Sequence, residues 1–417
     1  MATGAAAPAL PSDALTLKRV LLCSALIVTL SMGVRHGFGL FLQPVTLERG
    51  WTREAFAFAL AVQNLAWGLA GPLVGGVADR FGAQRVLIAG SLCYAAGLVV
   101  MAVATTPFGF LIGAGLLVGV SQAGTTYAVA YGVIGRNVSP ARRSWAMGVA
   151  ASAGSFGQFA MVPIEGFLIA SIGWHGALLV LAGLVTLIVP LAFFLREPAS
   201  VLRGAHAAGS AVSSASQSMG AAIREAFASP SFRWLTAGYF VCGFQVVFIG
   251  VHLPSYLKDQ GLPAHVATTA LMLIGLFNVF GTYVAGTLGG RMPKRFILSA
   301  IYFARAVVIL AFIAAPLTAW SVYLFAATIG FLWLSTVPPT NGIVADIFGV
   351  RYLSMLGGFV FLSHQVGSFL GAWLGGRLYD ATGSYDVVWW ISIGLGVFAG
   401  LANLPIREKP VARLATA

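Results

Sequence analysis

Gly75-Gly76-Val77-Ala78-Asp79-Arg80-Phe81-Gly82-Ala83-Gln84-Arg85 joins two long apolar runs. A weaker copy, Gly286-Thr287-Leu288-Gly289-Gly290-Arg291-Met292-Pro293-Lys294-Arg295, joins two others in the second half of the chain. Both copies put glycines at the end of an apolar run and cations in a very short connection. Glycine lets helices approach closely and supplies the positive φ often needed at a helix terminus, while Asp79 can pair with a nearby cation or face a helix N-terminus. A turn repeated at corresponding places predicts two halves built alike.

The runs on either side of these turns are unusual in number and polarity. Of the 417 residues 59% are hydrophobic and only 9% charged, and the mean hydropathy is +0.89. Soluble domains carry about 25% charged residues, so an ordinary cytosolic enzyme and a disordered chain are both excluded. A spanning helix needs roughly 20 apolar residues to cross about 30 Å of hydrocarbon. Twelve runs qualify: 20–45, 55–78, 84–104, 107–133, 144–170 and 175–195, then 233–257, 268–289, 296–315, 320–341, 353–376 and 386–404. The first run follows Lys18 and Arg19 but is too long for a signal core and contains Arg35 and His36, so it reads as a retained helix. Between the sixth and seventh runs lies a stretch of small residues around Ala207–Ala215, a composition that joins domains rather than packing into one. The sequence therefore predicts an all-α polytopic membrane protein of two pseudo-symmetric six-helix bundles. Its expected parts are a loose cytoplasmic tail (1–17), a first bundle (18–195), a cytoplasmic linker (196–231), a second bundle (232–406) and a tail (407–417).

Formal net charge is +12. With both termini cytoplasmic, eighteen Lys and Arg fall in inside segments and only Arg49, Arg53, Lys258 and Arg377 in outside ones, leaving Arg35 and Arg305 within helices. This positive-inside bias sets the expected orientation and accounts for the basic residues without a nucleic-acid partner. Cys23, Cys93 and Cys242 are scattered through apolar runs and suggest no metal cluster.

Gly75, Asp79, Arg80, Gly82 and Arg85 resemble the signature between the second and third helices of the major facilitator superfamily. The degenerate copy, with Gly286, Arg291 and Arg295, lies where that family's half-repeat expects it; Gly290 replaces the acidic residue. The resemblance implies two bundles enclosing a central cavity that opens alternately to either side, the general scheme of repeats rocking about a midplane site. It also implies that helices 1, 4, 7 and 10 line the cavity and that 2, 5, 8 and 11 form the bundle interface. A narrower resemblance, to the oxalate/formate antiporter and monocarboxylate porter branch, rests on Arg35-His36-Gly37-Phe38-Gly39-Leu40-Phe41-Leu42-Gln43-Pro44, Ala345-Asp346-Ile347-Phe348-Gly349-Val350-Arg351 and Tyr379-Asp380-Ala381-Thr382-Gly383-Ser384-Tyr385. That branch often holds a carboxylate between a cation in helix 1 and an arginine in helix 8. Arg35 or His36 can fill the first role. Thr282 stands near the second, and no Lys or Arg occupies that run, so a larger or less acidic substrate stays open beside a monocarboxylate.

Arg35 lies 15 residues from the start of the first run and 10 from its end. Exposure to lipid there costs several kcal/mol, which favours a cavity or a protein partner, and its planar fork of donors suits a carboxylate. Adjacent His36 is about 100° away around the helix and titrates near neutral pH when its surroundings allow. In the seventh run Gln245 and His252 share one helical face, so His252 reads either as a proton-coupling or substrate group or as a structural histidine. Gln122, Tyr127 and Tyr131 in the fourth run, Asn278 in the eighth and Trp333 in the tenth are further candidates for substrate binding, with core packing as the competing role. The tandem Pro338–Pro339 predicts a local break. Glu165, two residues after Pro163, is a third proton-coupling candidate or a gating residue; the resemblance assigns Pro163 to bundle packing and conformational exchange. No phosphate-binding loop, zinc motif or soluble catalytic domain is present in the sequence, so neither an enzyme nor a primary pump is indicated and no cofactor is required. The leading expectation is a secondary active transporter of a small organic anion, a carboxylate taken up by proton symport, in a bacterial inner membrane. Organic-anion antiport, export of amphipathic compounds and a non-transporting membrane receptor are the alternatives.

Overall fold

The computed structural model describes residues 15–198, 200–201, 218–349 and 353–411. Most of the expected N-terminal tail, the small-residue part of the linker and the last residues of the C-terminal tail lie outside the described residues. Among the described residues eleven helical stretches are long and apolar enough to cross a bilayer. One of them, Trp145–Phe194, is 50 residues long. As a single helix it would measure about 75 Å, more than twice the hydrocarbon thickness. It reverses at Gly173, whose φ of 73° and ψ of 170° break the helix, in a region of φ that favours glycine. The residues after the break confirm the return. Trp174 and Leu178 pack with Phe41 and Phe56, whereas Ile188, Ala192 and Leu195 pack with Val20, Cys23 and Ile134 at the opposite end.

The chain therefore makes twelve crossings. The first bundle contains α1 (Leu17–Arg49), α2 (Arg53–Phe81), α3 (Ala83–Val103), α4 (Pro107–Asn137), α5 (145–172) and α6 (174–194). The second contains α7 (Pro230–Asp259), α8 (Ala264–Gly289), α9 (Lys294–Ala314), α10 (Ala319–Phe348), α11 (Leu353–Thr382) and α12 (Asp386–Asn403). A short amphipathic helix, Met219–Ala228, occupies the described part of the linker and buries Ala222 and Ala226. With an even number of crossings, the described ends of the chain lie at the same end of the molecule, called here the terminal end.

Three of the twelve spans are interrupted where they approach the molecular centre. The first is helical to His36, passes through a 3-10 turn at Phe38–Phe41 and resumes at Leu42. The fourth breaks at Thr126, with φ −115° and ψ −156°. The tenth stops at Leu332 and restarts at Val337, so the break precedes Pro338 and Pro339, which fall in the first turn of the new segment where no intrahelical amide is needed. Irregular backbone at this depth is tolerated only where protein or a water-filled cavity receives its polar groups.

The two bundles meet closely at one end and part at the other. Gly68 on α2 packs against Gln365 on α11, and Ser155 on α5 accepts a 2.8 Å hydrogen bond from Asn278 on α8. Seven residues further toward the terminal end, and on the same helical faces, Gly75, Gly148 and Gly358 have open space where a Cβ would point. The separation thus develops over about 10 Å of helix. Beyond the centre the bundles stay in contact: Gly39 packs on the carbonyls of Gly250 and Val251, and at the far end Gly376 packs on the backbone of Arg53 and Glu54.

These glycines separate packing from open space experimentally. A Cβ at Gly367 would strike the Phe240 carbonyl and lie 3.1 Å from the Phe244 amide. Because helix backbone cannot move aside as a side chain can, Gly367→Ala is expected to cost about 1–3 kcal/mol in thermal unfolding of the purified protein. Gly358→Ala in the same helix should stay within about 0.5 kcal/mol of the parent.

Candidate functional site

A narrow cavity of ≈ 40 Å³ lies between the bundles, lined from α1 by Arg35, His36, Phe38 and Gly39, from α2 by Leu60, Gln63 and Asn64, from α5 by Gln158, from α7 by Val246, Val247, Gly250 and Val251, and from α10 by Trp333. That volume holds about three waters. A solute of more than a few heavy atoms would need the bundles to move apart.

Arg35 lines this cavity at the end of the first helical segment of α1, which stops one residue later. Its Nη2 donates to Asn64 Oδ1 at 2.5 Å, its guanidinium stands 5.0 Å from the centre of the Trp67 ring, and its Nε has no partner among the described residues. Tyr94, Tyr127 and His36 are titratable groups close enough to interact with its charge. Among the described residues no carboxylate pairs with Arg35. Asn64 is itself held by donating to the Leu60 carbonyl at 2.7 Å, so an amide dipole orients the cation without neutralising it. A cation thus lines a cavity in the middle of a membrane-spanning protein, a placement that is costly in lipid and is tolerated where the charge faces a cavity or polar protein groups.

His36 also lines the cavity. Its Nδ1 lies 2.6 Å from the Met32 carbonyl, which can only accept, so Nδ1 carries the proton and the neutral ring keeps its lone pair on Nε2. Glu165 approaches from α5 on the other side of the α1 break, and its carboxylate fills the place where a Cβ on Gly37 would sit. It is fully buried, and neither oxygen has a hydrogen-bond partner among the described residues. Gln158 donates to the Leu271 carbonyl at 3.1 Å across the bundle interface, leaving its Oε1 unpartnered.

The break in α10 is satisfied by two side chains. Arg305 donates from Nη2 to the Leu332 carbonyl at 2.6 Å and to the Trp333 carbonyl, and from Nε to Leu332 at 3.2 Å. It thereby caps the carbonyl end of a helix with a positive charge. Asn278 Oδ1 accepts the Leu334 amide at 2.9 Å and the Thr282 hydroxyl at 3.2 Å, while its Nδ2 reaches Ser155 in the other bundle. Asn278 is therefore a link from α5 to the α10 break rather than a lining residue. Trp333, carried on the break, lines the cavity with its indole N–H unpartnered among the described residues. Arg305→Met would leave those carbonyls without their donor in a buried setting. We expect a loss of about 2–4 kcal/mol in thermal unfolding, with Arg305→Lys recovering only part of it because a single ammonium cannot reproduce the fork.

Gln245 and His252 do not line the cavity. Gln245 donates to the Ser392 carbonyl at 2.9 Å and accepts from Arg305 at 3.3 Å. His252 lies 2.8 Å from the Ala372 carbonyl through Nε2 and 3.2 Å from the Tyr385 hydroxyl through Nδ1. The polar face of α7 is used inside its own bundle, and its cavity face is Val and Gly, which admits the α1 turn. In lipid, buried polar groups are readily consumed by helix–helix hydrogen bonds, so polarity along a helix does not by itself identify the cavity face. Gln122 is fully buried beside Tyr94, and Tyr131 packs among apolar residues 5.8 Å from the Tyr127 ring; neither lines the cavity. Tyr127 stands close to Arg35 with its hydroxyl against Gly154.

The repeated turns differ from each other. Gly82, with φ 89°, separates α2 from α3, whereas Gly290 keeps right-handed helical geometry. Arg80 and Arg85 are exposed; the Asp79 side chain lies outside the described residues. In the second copy Arg291 is exposed, Arg295 Nη1 donates to the Ile406 carbonyl at 2.9 Å, and Gly286 packs on Pro338. Pro163 sits inside α5 one turn from Gly166, which packs on Thr268 of α8. Among the described residues no cluster of His, Cys, Asp or Glu can hold a metal.

The sequence does not single out Gln63, Asn64 or Gln158 as lining residues. Their signal was an amide midway along an apolar run, the same signal shown by amides that turned out to be packed within a bundle. The family model of the Major Facilitator Superfamily matches residues 21–353. Among curated relatives, monocarboxylate transporter 11 of Mus musculus is 28% identical over 86% of this chain and 80% of its own length. The uncharacterized MFS-type transporter YcxA of Bacillus subtilis is 24% identical over 91% and 92%. Solved structures with the same fold include a bacterial homologue of the human lysosomal transporter Spinster, in an inward-facing and occupied conformation, at TM-score 0.72, 16% identity and coverage of 93% and 95%. The D-xylose-proton symporter superposes at TM-score 0.70, 16% identity and coverage of 94% and 98%. With its twelve crossings, two bundles and the family match over most of its length, the chain belongs to the major facilitator superfamily and is a multi-pass membrane transporter, not an enzyme.

Proposed function

We propose that this protein is a secondary active transporter of a small organic anion, a carboxylate carried together with a proton. The observation that carries the reading is the Arg35 guanidinium, lining the cavity between the bundles and oriented by a neutral amide rather than neutralised by an acid. A carboxylate there would accept charge-assisted hydrogen bonds from Arg35, with the Trp333 indole as a second donor and Gln158 Oε1 as an acceptor for a substrate hydroxyl. The size of the cavity favours few heavy atoms. The names of the monocarboxylate transporters at 24–28% identity agree with this substrate class.

The proton carrier in this reading is Glu165, with His36 as its neighbour across the α1 break. Glu165 takes up and releases a proton without breaking an ion pair, and it abuts the segment that carries Arg35. His252, held on both ring nitrogens away from the cavity, has the structural role. The positive-inside bias supports an orientation with both termini cytoplasmic, and in that orientation the parted end of the bundles faces inward.

The test is uptake into sealed vesicles containing the purified protein, after a thermal-shift screen of organic acids has identified a ligand. Saturable accumulation should require an imposed pH gradient, and Glu165→Gln should lose accumulation while retaining exchange down a substrate gradient. Accumulation that persists without the pH gradient would refute proton coupling. Stabilisation by cationic amphipathic compounds but by no organic acid would refute the substrate class.

A further inference from the structure

At the terminal end of the second bundle, a cleft of ≈ 350 Å³ lies between the linker helix Met219–Ala228, α7, α11 and α12. Its apolar walls are Phe227, Ala237, Phe240 and Phe398, and Arg233 and Thr236 lie along it. The surface beside it is made of exposed apolar side chains, Trp234, Val397, Leu401 and Leu404, which in a membrane protein mark contact with lipid.

One cation lines this apolar cleft, and a second belongs to the chain segment held against the same turn of α7. Arg233 is exposed in the first turn of α7 and has no acidic partner among the described residues. Arg407 is brought beside the same turn because its amide donates to Ser231 Oγ at 3.0 Å, and its exposed side chain likewise has no acidic partner among the described residues. The Thr236 hydroxyl is buried without a partner. A cation lining an apolar cleft, with a second cation on the adjoining segment, is complementary to a molecule with an anionic head and a hydrocarbon tail.

We propose that this cleft binds one anionic phospholipid of the leaflet at the terminal end. Its phosphate lies between Arg233 and Arg407, and one acyl chain runs among Phe227, Phe240 and Phe398. The site is separate from the central cavity and does not depend on the identity of the transported solute. Bound lipid would tie the linker helix to α7 and α12.

The full-length protein, purified in detergent, should retain added phosphatidylglycerol in native mass spectrometry and gain thermal stability from it, but not from phosphatidylcholine. Arg233→Gln combined with Arg407→Gln should lower that retention by about tenfold or more. Ala237→Phe, which fills the cleft and leaves the cations in place, should lower it as well. Equal retention of both lipids, or undiminished phosphatidylglycerol in the doubly substituted protein, would overturn the proposal. Full stabilisation by inorganic phosphate alone would also overturn it, because the apolar cleft would then be idle. So would phosphatidylglycerol binding that emerges only after residues 203–217 are deleted, since the chain itself would then be the occupant. The Arg substitutions are at exposed positions and keep the test interpretable if Ala237→Phe fails to fold.

Discussion

Arg35→Gln is expected to abolish measurable uptake and to weaken carboxylate binding by on the order of 100-fold or more. Removing one partner of a buried, hydrogen-bonded charge pair typically costs about 2–5 kcal/mol, and each 1.4 kcal/mol is a factor of ten. The folded protein should tolerate the change, because Arg35 has no acid partner to strand and Asn64 remains anchored to Leu60. Arg35→Lys should restore part of the binding, since an ammonium supplies charge but not a planar fork. The measurement is a thermal-shift titration of the parent and both variants with the organic acid found in the screen. Equal stabilisation of all three would remove Arg35 as the anchor.

The second large effect is expected at the far end, where Arg53 closes the bundles. Its guanidinium binds both oxygens of Asp259 on α7 at 2.6 and 2.7 Å, donates to the Tyr385 hydroxyl at 2.9 Å and lies 3.8 Å over the Tyr379 ring. The backbone amides of Arg53 and Glu54 also donate to Asp380, at 3.1 and 2.6 Å. The neighbouring Glu54–Arg377 pair is weaker by geometry, with contacts of 3.2 Å and side chains 30% and 58% exposed, against 12% and 21% for Arg53 and Asp259. Exposed pairs contribute about 0–1 kcal/mol, whereas a sheltered bidentate pair with added contacts is worth about 2–3 kcal/mol. Arg53→Ala should therefore shift the balance between far-end-closed and far-end-open forms by about 30–100-fold, and Arg377→Ala by fivefold or less. Spin labels on the far ends of α2 and α11 report the distance. In Arg53→Ala the longer separation should become populated, and transport should slow because the cycle needs both forms. An unchanged distance distribution would show that the latch does not hold the far end shut.

The candidate site was only partly legible before the fold was known. Arg35 stood out because a cation midway along an apolar run has few acceptable environments, and His36 followed from adjacency. Trp333 was one aromatic candidate in the tenth run, and the structure puts it on a break that falls before the tandem prolines and is held by Arg305. Gln245, His252 and Asn278 carried the same kind of signal as Gln63, Asn64 and Gln158. What distinguishes the two sets is which neighbour each side chain meets, across 147 residues for Gln245 with Ser392 and 123 for Asn278 with Ser155.

The sequence by itself determined the solvent of this protein, its number of crossings and its division into two similar halves. Run length and charge content are local properties, and a bilayer leaves an apolar run of about 20 residues little choice but to form a helix. Only the tertiary structure decided which polar side chains face the cavity and which are spent joining helices, which end of the bundles is closed, and that Glu165 stands unpartnered beside the turn at Gly37. Those outcomes depend on how helices rotate and tilt against one another. Backbone hydrogen bonding within each helix is indifferent to that rotation, so the choice falls to long-range contacts that no single run contains.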